Sequence, residues 1–185
     1  MRHSICINYS DIILSPLNSE STEEYRKLRN KDENRKWFYY NSFISRKEQK
    51  TWYDNYLKNT NDYMWGVYFK GLFVGGVAIY DIRHTKNYSI AEFGRLLIDK
   101  DACLSNGGLK ACIAACYLAF SVLEINDLIL SVYSTNNRAI QIYKNVGFDL
   151  SDEQEVGNEI INMKLTKDDF IKRFGENNIE FQIKS

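Results

Sequence analysis

Residues 89–150 read SIAEFGRLLIDKDACLSNGGLKACIAACYLAFSVLEINDLILSVYSTNNRAIQIYKNVGFDL, and this stretch decides the fold. It opens with an apolar, strand-like segment at residues 90–98. The segment Ser105-Asn106-Gly107-Gly108 is typical of a turn. The almost wholly apolar run at residues 109–123 is long enough for a buried helix. The first half of the stretch therefore predicts a strand, a Gly-rich turn and a helix.

The second half completes a βαβ unit. Residues 128–133 form a second strand-like segment, and residues 136–145 predict a second helix that stops at Gly147. A strand, a Gly-rich turn, a helix and a strand make one βαβ unit. Such a unit aims the N–H groups of the turn and of the first helical turn at one point, where an anion is favoured.

The flanking segments add strands and helices of ordinary length. Ser45 followed by Glu48 is a capping box that predicts a helix start. Lys70-Gly71 predicts a hairpin turn, and Gly75-Gly76 predicts a bulge or a close approach of two backbones. Further strands are predicted at residues 9–17, 63–70, 72–81 and 160–165, further helical segments at 19–40 (interrupted near 30–34), 45–59 and 167–174, and a frayed end at 181–185.

Length and charge restrict the functional classes. A chain of 185 residues is expected to form a single domain, residues 1–185. Its formal net charge is zero, which disfavours nucleic acid or an anionic membrane as a partner. No apolar run approaches a membrane span, and the N-terminal residues do not resemble a secretory signal, so a cytoplasmic location is expected.

The cysteines do not predict a metal site. Cys112 and Cys116 are four residues apart on the predicted buried helix, but a metal would need further ligands, and the histidines are only His3 and His84. We therefore interpret these two cysteines as small buried hydrophobic residues and expect no metal.

A family resemblance is carried by VYSTNNRAIQIYKNVGF, residues 132–148. This segment resembles the acyl-CoA-binding half of the GNAT family of N-acetyltransferases. The residues that match at the family's spacing are Asn136, Arg138, Ala139, Ile140, Tyr143, Gly147 and Phe148.

The resemblance implies a mixed α/β GNAT fold. Its central mixed sheet would have six to seven strands and about four flanking helices. The two central parallel strands, residues 90–98 and 128–133, would splay apart, and acetyl-CoA would enter the opening.

The resemblance also implies a set of cofactor-binding residues. Ser105 stands where the family loop usually has Arg or Gln, and Lys110 stands where it usually has a small residue. Lys110 is either a cation for the pyrophosphate or a solvated helix residue, and Asn136 either bonds pantetheine or caps its helix. The implied contacts are Ser105, Asn106, Gly107, Gly108, Leu109, Lys110, Asn136, Arg138, Tyr143 and the backbone of Leu97 and Ile98.

Acetyl transfer to an amine needs a base, because an ammonium group cannot attack a carbonyl, and it benefits from an acid that protonates the departing thiolate. The resemblance implies Tyr143 as the acid; packing beside Phe148 is the alternative. Glu92 is the candidate base, with a solvated edge glutamate as its alternative. His84 or water are rival bases.

The acceptor is predicted from residues 28–57, which resemble the N-terminal helices of GNATs that acetylate nucleotide-linked amino sugars. They also resemble those of GNATs that acetylate ribosomal-protein N-termini or drugs. Trp37, Phe38, Tyr39 and Tyr40 offer a face for stacking a sugar or base, although at least two of them are expected in the core. The predicted partner is a small-molecule amine, most simply an amino sugar, used in a ternary complex by a monomer or homodimer.

Three alternatives stay open. The acceptor could be a protein N-terminus or an aminoglycoside-like drug. The chain could also be a module that binds acyl-CoA without catalysis. Turnover separates the last alternative from the others, because a binding module would respond to CoA and release no thiol.

Overall fold

The computed structural model describes residues 2–102, 105–151, 159–175 and 182–184. In these residues the strands are β1 (Cys6–Tyr9), β2 (Ile12–Pro16), β3 (Asp62–Phe69), β4 (Leu72–His84), β5 (Ser89–Ile98), β6 (Asp127–Tyr133), β7 (Asp149–Leu150), β8 (Ile160–Thr166) and β9 (Gln182–Lys184). The α-helices are α1 (Ser19–Arg29), α2 (Asp32–Arg35), α3 (Arg46–Tyr56), α4 (Gly107–Ser121), α5 (Asn137–Val146) and α6 (Lys167–Phe174).

The strands form one mixed sheet in the order β7-β8-β6-β5-β4-β3-β2-β1-β9. Every neighbouring pair is antiparallel except β5 and β6, which are parallel. The predicted mixed α/β fold is therefore confirmed. The predicted counts of six to seven strands and about four helices were low, since the described residues form nine strands and six α-helices.

The two ends of the chain account for most of the difference in strand count. The segment predicted as one strand at residues 9–17 contains the last residue of β1 and the whole of β2, because the chain turns at Ser10 with a positive φ of 55°; the rest of β1 was not predicted. Residues 182–184, predicted to fray, pair with β1 as an edge strand.

Local signals fix several boundaries. The Ser45–Glu48 capping box starts α3 as predicted. Lys70 and Gly71 both have positive φ and close the β3–β4 hairpin. At Gly75 a Cβ atom would lie 2.0 Å from the carbonyl oxygen of Leu97, so the predicted close approach of two backbones is confirmed.

Helices cover both faces of the sheet. On one face α4 packs against β4, β5 and α5, and Cys112 and Cys116 are fully buried in its core. On the other face α1 and α3 supply Tyr25, Leu28 and Tyr56 to a second, smaller core. Among the described helices none is long and apolar enough to cross a membrane; α4, the longest, has 15 residues.

Candidate active site

A cavity opens where the two parallel strands part. Strands β5 and β6 pair at only three positions, ending at Glu92 opposite Ile129. Beyond Glu92 the strands separate, as predicted, and a cavity of about 360 Å³ lies between them. Its walls come from β5, the end of β6, α5, and the segment that follows α1.

Seven of the predicted site residues line this one cavity. They are Glu92, Leu97, Ile98, Gly108, Asn136, Arg138 and Tyr143. Residues separated by up to 51 positions in the sequence are thus brought to a single opening by the βαβ unit (143 − 92 = 51). This cavity is therefore the candidate site for the predicted acetyl transfer.

Glu92 lies at the point of divergence and is half-buried. Its Oε1 accepts a hydrogen bond of 2.6 Å from the Tyr80 hydroxyl. No lysine, arginine or histidine among the described residues forms an ion pair with it. Glu92 therefore presents a carboxylate with a fixed neutral partner, an arrangement that suits a proton acceptor.

Tyr143 projects from α5 into the cavity wall. Its ring packs edge-on against Phe93 and against Phe148, each with centroids 5.8 Å apart. Its hydroxyl makes no hydrogen bond to another described residue. Burial raises the pKa of Tyr143, so the hydroxyl keeps its proton at neutral pH. The Tyr143 ring therefore does pack beside Phe148, and this packing leaves the hydroxyl proton available.

The edge of β5 that faces the cavity is open. Residues 93–98 line the cavity and have no pairing to β6, whereas their other edge pairs with β4. The backbone of Leu97 and Ile98 lies on this stretch. An open strand edge offers N–H and C=O groups to an extended ligand.

Asn136 and Arg138 lie at the start of α5. The Asn136 side chain accepts a hydrogen bond of 3.3 Å from the backbone N–H of Ala139, so it caps the helix while it also lines the cavity. Arg138, the second residue of α5, is exposed at the cavity wall. Both alternatives for Asn136 are compatible in the structure.

The predicted cofactor loop is only partly placed at the cavity. Residues 103 and 104 lie outside the described residues. Gly108 lines the cavity, but Ser105, Asn106, Gly107, Leu109 and Lys110 do not. The Lys110 ammonium forms an ion pair of 2.7 Å with Asp11 in the turn between β1 and β2, so the structure does not aim this cation at the cavity.

The N-cap residue of α4 does not cap its helix with its side chain. The side chains of the N-cap residues of α1, α3, α5 and α6 accept hydrogen bonds from those helices. Asn106, the N-cap of α4, has a left-handed φ of 55° and makes no such bond. The uncapped N-terminus therefore retains donors and a partial positive charge suited to a phosphate.

His84 is not placed to compete with Glu92. It is exposed, pairs with Ser89 at the start of β5 and does not line the cavity. The structure favours Glu92 over His84 as the base.

The segment after α2 forms an aromatic wall. Trp37, Phe38 and Tyr39 line the cavity, whereas Tyr40 does not. Phe38 is half-buried and packs against the second core, Trp37 is half-buried without being part of either core, and Tyr39 and Tyr40 are exposed. The expectation that at least two of them belong to the core was wrong, because the chain between α2 and α3 runs along the cavity instead of under it.

Several cavity residues were not anticipated from the sequence. The most informative are Tyr80 on β4, Tyr133 at the end of β6, and Glu33 and Lys100, which form an ion pair of 3.3 Å at the cavity wall. The register of β4 against β5 places Tyr80 opposite Glu92. The polar segment between these strands does not fix that register in advance, so no local signal identified Tyr80.

Comparisons with known proteins agree with this geometry. A model of the GNAT acetyltransferase domain matches residues 11–149. The chain therefore belongs to the GNAT acetyltransferase family, and it is an acyl-CoA-dependent N-acetyltransferase. No curated protein matches the chain significantly.

Solved structures with a similar fold include three GNAT proteins. Spermidine N-acetyltransferase from Vibrio cholerae, solved with CoA and spermine, has a TM-score of 0.76 at 16% identity, covering 87% of this chain and 98% of its own. FdhC, a nucleotide-linked sugar GNAT, has a TM-score of 0.74 at 19% identity, covering 92% and 94%. PseH from Campylobacter jejuni, solved with acetyl coenzyme A, has a TM-score of 0.63 at 20% identity, covering 84% and 98%.

The residues around the cavity fit acetyl-CoA, the acyl donor that the family implies. The open edge of β5 suits an extended amide-containing arm, and the uncapped start of α4 suits phosphates. At Gly108 a Cβ atom would lie 2.9 Å from Cδ1 of Ile142, another cavity residue, so the wall is tight where α4 meets α5. Acetyl-CoA supplies an activated acetyl group as a thioester.

Proposed function

We propose that this protein acetylates the primary amine of a small amino sugar, with Glu92 as the base and Tyr143 as the acid. The observation that carries the proposal is that both side chains line one cavity that is also lined by the aromatic residues Trp37, Phe38, Tyr39 and Tyr133. Acetyl-CoA and the acceptor would occupy this cavity together, so that the amine attacks directly.

The roles of the two residues follow from their surroundings. The Glu92 carboxylate has one hydrogen bond, from Tyr80, and no cationic partner among the described residues, so it can accept a proton from an ammonium group. The raised pKa of Tyr143 keeps its hydroxyl protonated, and the hydroxyl can therefore donate to a departing thiolate. We further propose that the backbone of Leu97 and Ile98, the side chains of Asn136 and Arg138, and Gly108 hold the acyl donor.

The charges around the cavity favour one amino group on the acceptor. Within the described part of the chain, Glu33 and Glu92 are the carboxylates that line the cavity, and Glu33 is already paired with Lys100. An acceptor with several ammonium groups, such as spermidine, would need more free carboxylates to offset its desolvation. A monoamine needs only Glu92.

The aromatic wall favours a ring on the acceptor. Trp37, Phe38, Tyr39 and Tyr133 line the cavity, and aromatic rings stack well against the apolar side of a sugar or against a base. This supports an amino sugar over an extended peptide N-terminus. A nucleotide attached to the sugar would add a base for the same wall.

A panel of amines tests the proposal. The purified protein is mixed with acetyl-CoA and each of five acceptor classes, and released CoA thiol is measured. The classes are free amino sugars, nucleotide-linked amino sugars, spermidine, peptides with a free N-terminus and an aminoglycoside. We expect the highest kcat/KM within the two sugar classes.

Two results would contradict the proposal. Faster turnover of spermidine, peptide or aminoglycoside would replace the amino sugar with that acceptor. A rise in melting temperature with CoA but no thiol release from any class would identify a binding module, because a ligand that binds only the native state stabilises it.

A further inference from the structure

We infer that Tyr80 is the positioning residue for Glu92, and that Arg95 and Asp62 hold Tyr80 in place from the neighbouring strands. The inference rests on the proposed role of Glu92 as the base. It concerns residues that do not themselves contact the acyl donor or the amine in the proposed reaction.

Tyr80 is held against Glu92 by the sheet itself. The two residues are directly opposite in the β4–β5 register, where side chains of paired residues lie side by side. The Tyr80 hydroxyl donates a hydrogen bond of 2.6 Å to Oε1 of Glu92. Because Oε1 is engaged, Oε2 is the oxygen left for the amine.

Gly94 makes room for the Tyr80 ring. A Cβ atom at Gly94 would lie 2.8 Å from the Tyr80 hydroxyl oxygen and 3.0 Å from the ring. The Tyr80 ring and hydroxyl therefore occupy the space that a side chain at position 94 would fill. Any larger residue at position 94 would displace the hydroxyl from Glu92.

A β-bulge places Arg95 on the other side of the Tyr80 ring. Gly94 pairs with Ala78 and Leu97 pairs with Gly76, so two residues of β5 are opposite Val77 alone. Arg95 has a positive φ of 52° at this bulge. Its guanidinium carbon consequently lies 4.3 Å from the centroid of the Tyr80 ring, a cation–π contact.

Arg95 is itself fixed by buried partners. Its Nη1 forms bonds of 2.8 and 2.9 Å to the two carboxylate oxygens of Asp62, which is buried on β3. Its backbone carbonyl accepts a hydrogen bond of 2.8 Å from the Tyr25 hydroxyl of α1. The β5 bulge, the Arg95–Asp62 ion pair and the Arg95–Tyr80 contact thus form a connected series of contacts that leads through Tyr80 to Glu92.

The Tyr80 hydroxyl keeps its proton and therefore remains a hydrogen-bond donor. Burial and the hydrogen bond to Glu92 raise the pKa of Tyr80, so it stays neutral. The charged groups that interact with the Tyr80 hydroxyl are Glu92 and Arg95 of β5 and Asp62 of β3.

Tyr80→Phe tests the inference, because it removes the hydroxyl and keeps the ring under Arg95. We expect kcat to fall about 10–100-fold while KM for acetyl-CoA is unchanged.

The control and the epistasis measurement separate the possible outcomes. Tyr53→Phe removes a hydroxyl that bonds the Leu17 carbonyl at 3.3 Å, away from the cavity, and should leave kcat at the wild-type value. Tyr80→Phe added to Glu92→Gln should lower kcat no further, because Tyr80 acts only through Glu92. A further loss in the double variant, or a loss in Tyr80→Phe that appears only as a higher KM for acetyl-CoA, would overturn the inference.

Failure of the proposed function gives a different result. If Glu92→Gln alone retains wild-type kcat, Glu92 is not the base and the positioning role falls with it. Asp62→Asn supplies an independent measurement, since it removes the charge that anchors Arg95. If Asp62→Asn lowers kcat, but by less than Tyr80→Phe does, the inference is supported. If a folded Asp62→Asn protein keeps the wild-type kcat, Asp62 does not help to hold Tyr80 in place.

Discussion

The ring of Tyr39 lies 5.9 Å from the ring of Tyr133, so the segment after α2 contacts the end of β6 beside the cavity. Both residues line the cavity, although 94 positions separate them in the sequence (133 − 39 = 94). Tyr39 remains 61% exposed, which leaves much of its face available to a ligand. The contact therefore joins the two walls between which the acceptor is proposed to enter.

Tyr39→Ala should weaken binding of the acceptor. Loss of one aromatic face removes a stacking contact of roughly 1 kcal/mol, which corresponds to about a 5–10-fold rise in acceptor KM. KM for acetyl-CoA should not change, because the proposed donor contacts lie on β5, α4 and α5. Initial rates measured against each substrate in turn check this expectation.

Tyr40→Ala is the matched control for Tyr39→Ala. Tyr40 is also exposed, at 55%, but it does not line the cavity. Its variant should retain the wild-type KM for both substrates. Equal acceptor KM values in the two variants would show that Tyr39 takes no part in acceptor binding.

The βαβ unit was predictable from the sequence because its signals are local. Asn136 caps α5, and Gly147 ends it with a left-handed φ of 111°, a conformation that glycine adopts without steric cost. The resemblance to the GNAT family added what these signals cannot supply, namely that the two parallel strands splay apart. The structure places the point of divergence at Glu92.

Arg95 shows why the contacts proposed to hold Glu92 in place could not be predicted from the sequence. Strict alternation along β5 directs Glu92 and Arg95 to opposite faces, and only a bulge brings both to Tyr80. A positive φ at a non-glycine residue is uncommon and has no reliable sequence signal.

Lys110 illustrates a second limit of prediction from sequence, because its contact is with a residue far away in the chain. Its partner Asp11 lies 99 positions away, in a turn whose position depends on the whole sheet. The residue pattern of the loop alone suggested a phosphate contact. Only the packing of α4 over the β1–β2 turn determines where the ammonium group goes.

Stability should fall on mild acidification because of His3. Its ring lies 5.1 Å from the rings of both Tyr63 and Trp65, and its two nitrogens have no hydrogen-bond partner among the described residues. Burial, aided by the charge of Arg2, lowers the pKa of His3 to about 4 from 6.5. The unfolded chain therefore binds more protons than the native protein between these two pH values.

The sign of the effect follows from this difference. Stability is greatest above pH 6.5 and is lost as pH falls towards 4, below which His3 contributes no further slope. At pH 5 the loss should be about 1–2 kcal/mol, reduced by the partial exposure of the ring. Urea unfolding of the wild type and of His3→Phe at pH 7 and pH 5 measures it.

His84→Phe is the control for the histidine variant, because His84 is exposed. His3→Phe should show a smaller decrease in unfolding free energy between pH 7 and pH 5 than both the wild type and His84→Phe. The same decrease in all three proteins would assign the acid sensitivity to carboxylates instead.

Gly108→Val should weaken CoA binding by about 10-fold or more. The backbone of Gly108 is helical, so a side chain meets no forbidden φ. The added atoms instead enter the cavity wall at Ile142 Cδ1, the end of a flexible side chain, so the cost to the fold should be small. Calorimetric titration with CoA and the melting temperature measure the two effects separately.

A smaller side chain at position 108 supplies the control. Gly108→Ala adds one carbon and should weaken CoA binding less than Gly108→Val. Wild-type affinity in a folded Gly108→Val protein would show that the acyl donor does not pass this part of α4.

Tyr143→Phe should lower kcat and leave KM for acetyl-CoA nearly unchanged. The substitution keeps the ring that packs against Phe93 and Phe148, and it removes a hydroxyl with no hydrogen-bond partner among the described residues. The lost interaction is one that strengthens as the thiolate departs, which appears in kcat. General acid catalysis is typically worth ~10²–10⁴-fold, and the lower end is expected because water can replace the proton donor.

Single-turnover acetyl transfer by the wild type and Tyr143→Phe decides this prediction, after circular dichroism confirms that both are folded. Because the pKa of Tyr143 is raised by burial, the difference between the two enzymes should persist through neutral and mildly alkaline pH. Tyr53→Phe, which removes a hydroxyl far from the cavity, should react at the wild-type rate. Matching rates for the wild type and Tyr143→Phe would leave the thiolate to be protonated by solvent, and a higher KM for acetyl-CoA alone would assign Tyr143 to binding.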